Sequence, residues 1–285
     1  MRTWRFVDSG FLSPADNMAI DCALLALHAE GQSPPTLRLY QWRPPAVSLG
    51  YFQKNHDLDP EACRRLGVEV VRRPTGGRAV LHLEDLTYAV IAGTGEGMPS
   101  AVSAAYRLIA QGLLNGFRLL GIEARIGQER GDSLKTDICF LRSAQGAVVY
   151  RGKKLVGSAQ TWRGPTLLQH GSIILRPQVE AWLALIKLRD ESWQGMRARL
   201  AARLTSLEEI LGTAPELTAV KESIRQGLAQ TLRVEFQTGE LSAAEWNLAR
   251  ALSSEEEEKY HGPGGYNPNY SGQVQGGHRW PEGCP

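Results

Sequence analysis

The sequence predicts an α/β protein, with a mixed-sheet core over about residues 1–176 and a helical part over about 177–252. Three observations carry that expectation. Short β-rich runs separated by turn residues crowd the stretch 36–91 and return at 147–175. Two longer apolar segments of helical period, 14–30 and 100–120, interrupt them. After Pro177 the period becomes helical almost without a break. Strands first and helices afterwards suit one layered domain with helices packed on a sheet.

Ser13-Pro14 reads as an N-cap followed by proline at the first helical position. The helix that follows carries Met18, Cys22, Leu25 and Ala29 on one face, and Gly31 stops it. Residues 36–42 alternate as a strand, 47–51 give another, and Asp59-Pro60 opens a short helix closed by Gly67. Residues 68–71 lead as a strand into a basic glycine loop, with strands at 79–83 and 86–91 beyond it. A strand at 122–126 follows the second long helix. Residues 147–150 and 154–162 form a hairpin around Arg151-Gly152, and 167–175 make one more strand. Helices are expected at 178–188, 191–203, 206–211 and 216–231, then a strand at 234–237 and a last helix at 241–252. The remainder, 253–285, holds an acidic run and then Gly, Pro, Asn and Tyr without period. It reads as a flexible tail that buries too little to order itself.

At 285 residues with a formal net charge of +2, the chain has no basic block that would recruit nucleic acid. Its apolar runs are too short to span a membrane. The N-terminus lacks the apolar stretch of a signal peptide, so a cytoplasmic enzyme is expected. Cys22, Cys63, Cys139 and Cys284 form no CxxC pair, which argues against a metal site or a disulfide framework and leaves each a free thiol by default. Cys22 fits a helix core position; Cys139, in an unpatterned connection, does not.

Chemistry concentrates in two stretches. In RRPTGGRAVLH, Arg72, Arg73 and Arg78 put three guanidinium forks around Thr75, Gly76 and Gly77, with His82 on the next strand. Arginine forks suit carboxylate or phosphate, and paired glycines allow a tight turn close to a ligand. The second stretch runs from Asp137 to Ser172. It holds Cys139, then Lys153-Lys154, the small-residue strand Gly157-Ser158-Ala159-Gln160, and His170 on the strand after that. Small residues lower the wall of a groove. A thiol beside an ammonium favours thiolate, and a thiolate can split acyl transfer into two easier steps. By residue type alone these stretches amount to an enzyme with an anion-handling pocket.

These two stretches resemble the biotin/lipoate protein ligase and octanoyltransferase superfamily. RRPTGGRAVLH followed by LTYAVI is similar to its arginine–glycine loop, and GKKLVGSAQTW followed by LLQHGSIIL to its lysine segment. The resemblance covers about residues 4–175, including the NMAIDCALL helix. It implies a catalytic core like those of class II aminoacyl-tRNA synthetases and biotin–lipoate ligases. Cys139-Phe140 matches the nucleophile segment of the cysteine-dependent octanoyltransferases, which places the nucleophile at Cys139 and the stabilising lysine at Lys154. Arg72, Arg73, Thr75, Gly76, Gly77, Arg78, His82, Gly157, Ser158, Ala159, Gln160 and His170 become the substrate-binding set.

The implied reaction moves octanoyl from acyl carrier protein to a lysine of a lipoyl domain, such as glycine-cleavage H protein. It proceeds through a thioester on Cys139, in a monomer that needs no cofactor and no metal. Three other readings stay open: an ATP-dependent lipoate or octanoate–protein ligase, an amidotransferase between lipoyl domains, and a non-catalytic carrier-binding protein. The resemblance places no general base, with His82 and His170 as candidates.

Overall fold

Two sheets of unequal size face one another, and the elements that join them bring distant stretches of the chain together. The structure is a computed structural model that describes residues 1–53, 57–127, 146–188 and 192–261, with side chains as far as Ser254. The first half contains β1 (Arg2–Leu12), α1 (Pro14–Ala29), β2 (Thr36–Trp42), β3 (Ala46–Leu49), α2 (Pro60–Arg65), β4 (Glu69–Arg72), β5 (Val80–His82), β6 (Asp85–Gly93) and α3 (Val102–Leu119). Then come β7 (Arg125–Ile126), β8 (Val148–Tyr150), β9 (Lys153–Arg163), β10 (Thr166–Ile174), α4 (Val179–Leu185), α5 (Trp193–Arg203), α6 (Leu207–Leu211), α7 (Leu217–Leu232), β11 (Val234–Thr238) and α8 (Ala243–His261).

The large sheet has the order β11-β1-β2-β6-β10-β9-β8-β7, and the small one β4-β3-β5. β11, β1 and β2 run parallel, while the pairs from β2 through β7 are antiparallel. α3 and α7 cover one face of the large sheet, over a core that includes Leu37, Tyr88, Val90, Leu113, Phe117 and Ile224. α1 lies on the other face with α8 packed against it, burying Met18, Cys22, Leu25, Ala89, Ile91 and Leu168. The small sheet closes over a third cluster with α4 and α5, centred on Trp182.

Sandwiching explains two departures from the expected pattern. β2 reads as half-exposed, yet all seven of its residues are buried, because it is a central strand with helices on both faces. α1 is likewise buried almost all round, from Asn17 through Leu27, so Asn17 and Asp21 are polar groups sealed in the core. Ser13 caps that helix by accepting from the Asp16 N–H, with Pro14 in the first turn, as the sequence suggests.

β1 goes unread in the sequence. Arg2, Arg5 and Asp8 break up its apolar pattern, although Trp4 and Val7 are buried and Arg5 is held by Glu245 of α8. α8 itself runs past the expected stop at 252 to His261. The glutamates at 255–258, read as part of a flexible tail, are good helix formers. The rest of the expected tail lies outside the described residues. Cys22 also differs: it is disulfide-bonded, not a free thiol. Cys63 is free and buried, and burial pushes its thiol up to about 11, which keeps it protonated and inert.

Candidate functional site

A pocket opens between the large sheet, the small sheet and α1. The large sheet contributes Thr87 from β6, Gly157, Ser158 and Ala159 from β9, and His170, Gly171 and Ser172 from β10. Met18 of α1 and Trp42 of β2 close one side. Ser48, Val80 and His82 of the small sheet face them, with Arg73 and Gly77 from the loop between β4 and β5. The empty space is about 400 Å3, part of it open solvent. One end is open, where Gly77 is exposed and Ala159 half-buried. The other is closed by Trp42, Thr87, His82 and Ser172, all buried. The surface presented to the cavity is mainly apolar although many lining residues are polar.

Two buried networks account for that contrast. In the first, His82 Nδ1 lies 2.9 Å from Asp85 Oδ2, and Nε2 lies 2.8 Å from the Ser48 hydroxyl. Asp85 also accepts from Ser172 at 2.7 Å and Thr87 at 3.1 Å. The Asp85 carboxylate can only accept, so Nδ1 of His82 is a donor to it. Trp42 stacks on the His82 ring at 3.9 Å and donates its indole N–H to Thr87.

In the second network, His170 Nδ1 lies 2.9 Å from Asp21 Oδ2 and Nε2 2.7 Å from the Thr75 hydroxyl. Asp21 also accepts from Arg38 and Tyr40, each at 2.8 Å. Burial by itself would push the Asp21 carboxyl up. The bond from His170 and the charge of Arg38 outweigh it and hold Asp21 below 3.8. Burial pushes the His170 imidazole below 6.5 despite the Asp21 carboxylate beside it. At neutral pH His170 is therefore neutral, donating to Asp21 and accepting from Thr75. In both networks the polar atoms satisfy one another, and the cavity meets ring faces and methylenes.

The arginine–glycine loop is shaped from inside. Arg73 is buried and donates to Ser48 O, Ser48 Oγ, Gly76 O and Arg78 O, so its fork holds the loop in place. One Arg72 nitrogen reaches the carbonyls of Gly50, Tyr51 and Gln53. Both of these arginines thus donate to main-chain carbonyls of the loop and its neighbours. Arg78 is half-buried, and its guanidinium has no hydrogen bond, ion pair or ring contact among the described residues. Gly77 has φ +95°, as the turn expectation requires, whereas Gly76 has an ordinary φ and open space where a Cβ would stand. The Gly77 carbonyl presses so closely on Gly50 that a side chain at position 50 would displace the loop.

The structure brings Arg73, Gly77, His82, Gly157, Ser158, Ala159 and His170 of the expected set to one pocket, with Thr75 behind it on His170. Gln160 belongs to a separate chain of hydrogen bonds, accepting from Trp162 and donating to Gln169, which donates in turn to Tyr88. The Tyr88 hydroxyl donates to Ser158, and burial raises the phenol to about 12. Lys154 is buried near the start of β9, three residues before the pocket wall, whereas Lys153 is half-buried. Cys139 lies outside the described residues.

Asp21, Trp42, Ser48, Asp85, Thr87 and Ser172 were missed by the sequence reading. An aspartate inside the apolar run of α1 was a signal for the first of these. Asp85, three residues after His82, was a weaker one. β3 and β10 carry no local mark that Ser48 and Ser172 face one another's networks.

Residues 13–229 match the model of the lipoyl protein ligase A/B catalytic domain. Octanoyltransferase LipM of Kyrpidia tusciae is 40% identical over 261 residues, spanning 88% of this chain and 95% of that protein. Octanoyltransferase LipM of Geobacillus kaustophilus is 40% identical over 268 residues, spanning 89% and 96%. Among solved structures, the bipartite lipoate protein ligase of Thermoplasma acidophilum has the same fold. Its TM-score is 0.72 at 22% identity, over 89% of this chain and 93% of that one.

Proposed function

Because the chain belongs to the lipoyl protein ligase A/B catalytic domain family, we propose that its pocket holds the acyl chain of an octanoyltransferase acting through a Cys139 thioester. The enzyme is an octanoyltransferase, like the relatives that match it along nearly their whole length. The acyl donor is octanoyl–acyl carrier protein and the acceptor is a lysine of a lipoyl domain, such as glycine-cleavage H protein. The observation that carries this reading is the closed, apolar-faced slot beside Gly157–Ala159. An alkyl chain entering it reaches Trp42 and His82 at the floor, leaving its carbonyl at the open end. Each buried methylene contributes about 0.8 kcal/mol, so the depth of the slot reads chain length.

The Cys139 thiolate attacks the carbonyl of the carrier thioester. The bond to the pantetheine sulfur breaks, and that sulfur leaves as a thiol with the proton Cys139 gave up. In the second half the unprotonated ε-amine of the acceptor lysine attacks the enzyme thioester. The amide forms, and the proton shed by nitrogen returns to the Cys139 sulfur. The Lys154 ammonium stabilises the thiolate and the oxyanion of each tetrahedral species. Thioester to amide runs downhill, so no nucleotide enters. The pinned imidazoles hold the floor in one shape, and Arg78 at the rim favours an anionic partner.

Intact mass decides the matter. Mixed with octanoyl–acyl carrier protein, the enzyme gains one octanoyl group, and Cys139→Ala gains none. ATP-dependent labelling of a lipoyl domain that survives Cys139→Ala would refute the mechanism.

A further inference from the structure

Beside the open end of the pocket stands an aromatic side chain that the acyl slot does not use. Phe52 is 86% exposed; apart from the N-terminal Met1, no large apolar side chain among the described residues is more so. Its exposure does not come from a loose loop. Arg72 ties together the carbonyls of Gly50, Tyr51 and Gln53 at 2.6, 3.0 and 2.9 Å, the residues on both sides of Phe52. Gln53 N–H donates to Gly50 O at 2.9 Å, which closes the turn. The Tyr51 ring meets Phe52 edge-on at 4.6 Å and limits its rotamers.

The same turn is fixed to the rim of the pocket. Tyr51 N–H donates to Thr75 O at 2.9 Å, and Gly50 packs against the Gly77 carbonyl. Phe52 is thus two residues from a position that touches Gly77, the exposed lining residue of the open end, and Arg78 follows Gly77 directly. The turn that carries Phe52 is therefore joined to the segment that carries Arg78, a cation without a partner among the described residues.

We propose that Phe52, with Arg78 beside it, is the docking point for the acceptor domain, the folded partner that presents the lysine. This rests on the acyl-transfer reading above. Reach separates acceptor from donor. A lysine side chain extends only about 6 Å beyond its Cα. For its nitrogen to meet a carbonyl at the mouth, the surface around that lysine must lie against the rim itself. The donor thioester arrives on a phosphopantetheine arm several times longer, so the body of the donor carrier can stand well clear of Phe52. The partner that fits carries its lysine on a protruding turn, with an apolar residue nearby to cover Phe52 and an acidic one for Arg78. Buried aromatic anchors ringed by polar contacts dominate the energetics of such interfaces.

The test uses the full-length enzyme and separates the two half-reactions. Octanoyl–acyl carrier protein loads the enzyme, read by intact mass. The loaded enzyme is then given either a lipoyl domain or hydroxylamine, a nucleophile too small to need docking. With Phe52→Ser, loading and transfer to hydroxylamine stay within about twofold of wild type, while KM for the lipoyl domain rises at least about tenfold. Phe52→Leu, which keeps an apolar anchor, recovers most of that loss. An unchanged KM for the lipoyl domain overturns the proposal. So does slowed loading by the acyl carrier protein with an unchanged second step, since that assigns the surface to the donor. Failure of the wild type to load would refute the acyl-enzyme reading on its own. Calorimetric binding of the lipoyl domain to wild type and Phe52→Ser would then decide the docking surface independently, with equal affinities counting against it.

Discussion

Replacing Asp21 by asparagine removes one charge from a fully sealed cluster, and the structure sets the size of the consequence. Arg38 is 0% exposed and spends its donors on Ser9 Oγ, Asn17 O, Asn17 Oδ1 and Asp21 Oδ1. Asparagine's oxygen can still accept from Arg38, so that contact survives in shape while the guanidinium loses its counter-charge. The other carboxylate oxygen accepts from both Tyr40 and His170 Nδ1. An amide nitrogen in that place turns a donor toward two donors. Breaking a buried pair from one side costs about 3–5 kcal/mol, a large share of the roughly 5–15 kcal/mol that a folded domain commands. At about 2–4 °C per kcal/mol for a chain of this size, the melting temperature of Asp21→Asn falls by roughly 6–20 °C.

Denaturant unfolding followed by circular dichroism measures the loss as a shift in midpoint at constant slope. Adding Arg38→Met to Asp21→Asn recovers at least about half of it, because the stranded cation goes with its partner. A loss below about 1 kcal/mol, or a double variant less stable than the single one, would refute the reasoning that charge pairing holds α1 to β2 and β10.

Two further outcomes follow from the same geometry. The His170 imidazole titrates below 6.5 in the folded protein and near 6.5 when unfolded, so the unfolded chain binds the extra proton first. Its contribution is complete above about pH 6.5 and is lost as pH falls toward the folded value. Unfolding midpoints compared at pH 7.5, 6.0 and 5.0 should decline in wild type and flatten in His170→Gln; equal slopes would contradict the assignment of a neutral, buried imidazole. Trp42→Ala removes the ring that stacks on His82 and closes the slot, so acyl preference moves from octanoyl toward decanoyl and longer chains. With about 0.8 kcal/mol per methylene, each added carbon gains roughly fourfold in KM, and competition between octanoyl and decanoyl donors reads the change.

Much of the molecule was legible from residue order. The N-cap at Ser13, the turn at Arg151-Gly152 and the long helices α1 and α3 are written in local chemistry: a hydroxyl before a proline, a glycine between β-rich runs, an apolar period of 3.6. The same holds for Gly77, whose left-handed conformation the Pro-Thr-Gly-Gly turn demands, and for the small residues of β9 that wall the slot. β1 was not legible, because charges interrupt its pattern and their partners are remote in sequence: Arg5 pairs with Glu245 of α8, 240 residues away, and Asp8 with Lys221 of α7, 213 away.

The sequence by itself determined most of the elements, the family and the two stretches that carry the chemistry, since each depends on neighbours along the chain. Only the tertiary structure decided what the arginines do. Arg72 and Arg73 donate to carbonyls that the fold places beside them, while the half-buried Arg78 has no such partner among the described residues. Tertiary contact likewise made Asp21 and Asp85 the anchors of the two imidazoles: His170 meets Asp21 only when β10 passes under α1, across 149 positions. Charge and hydrogen bonding act through space, so a residue's role at such a site is set by the partners folding brings to it.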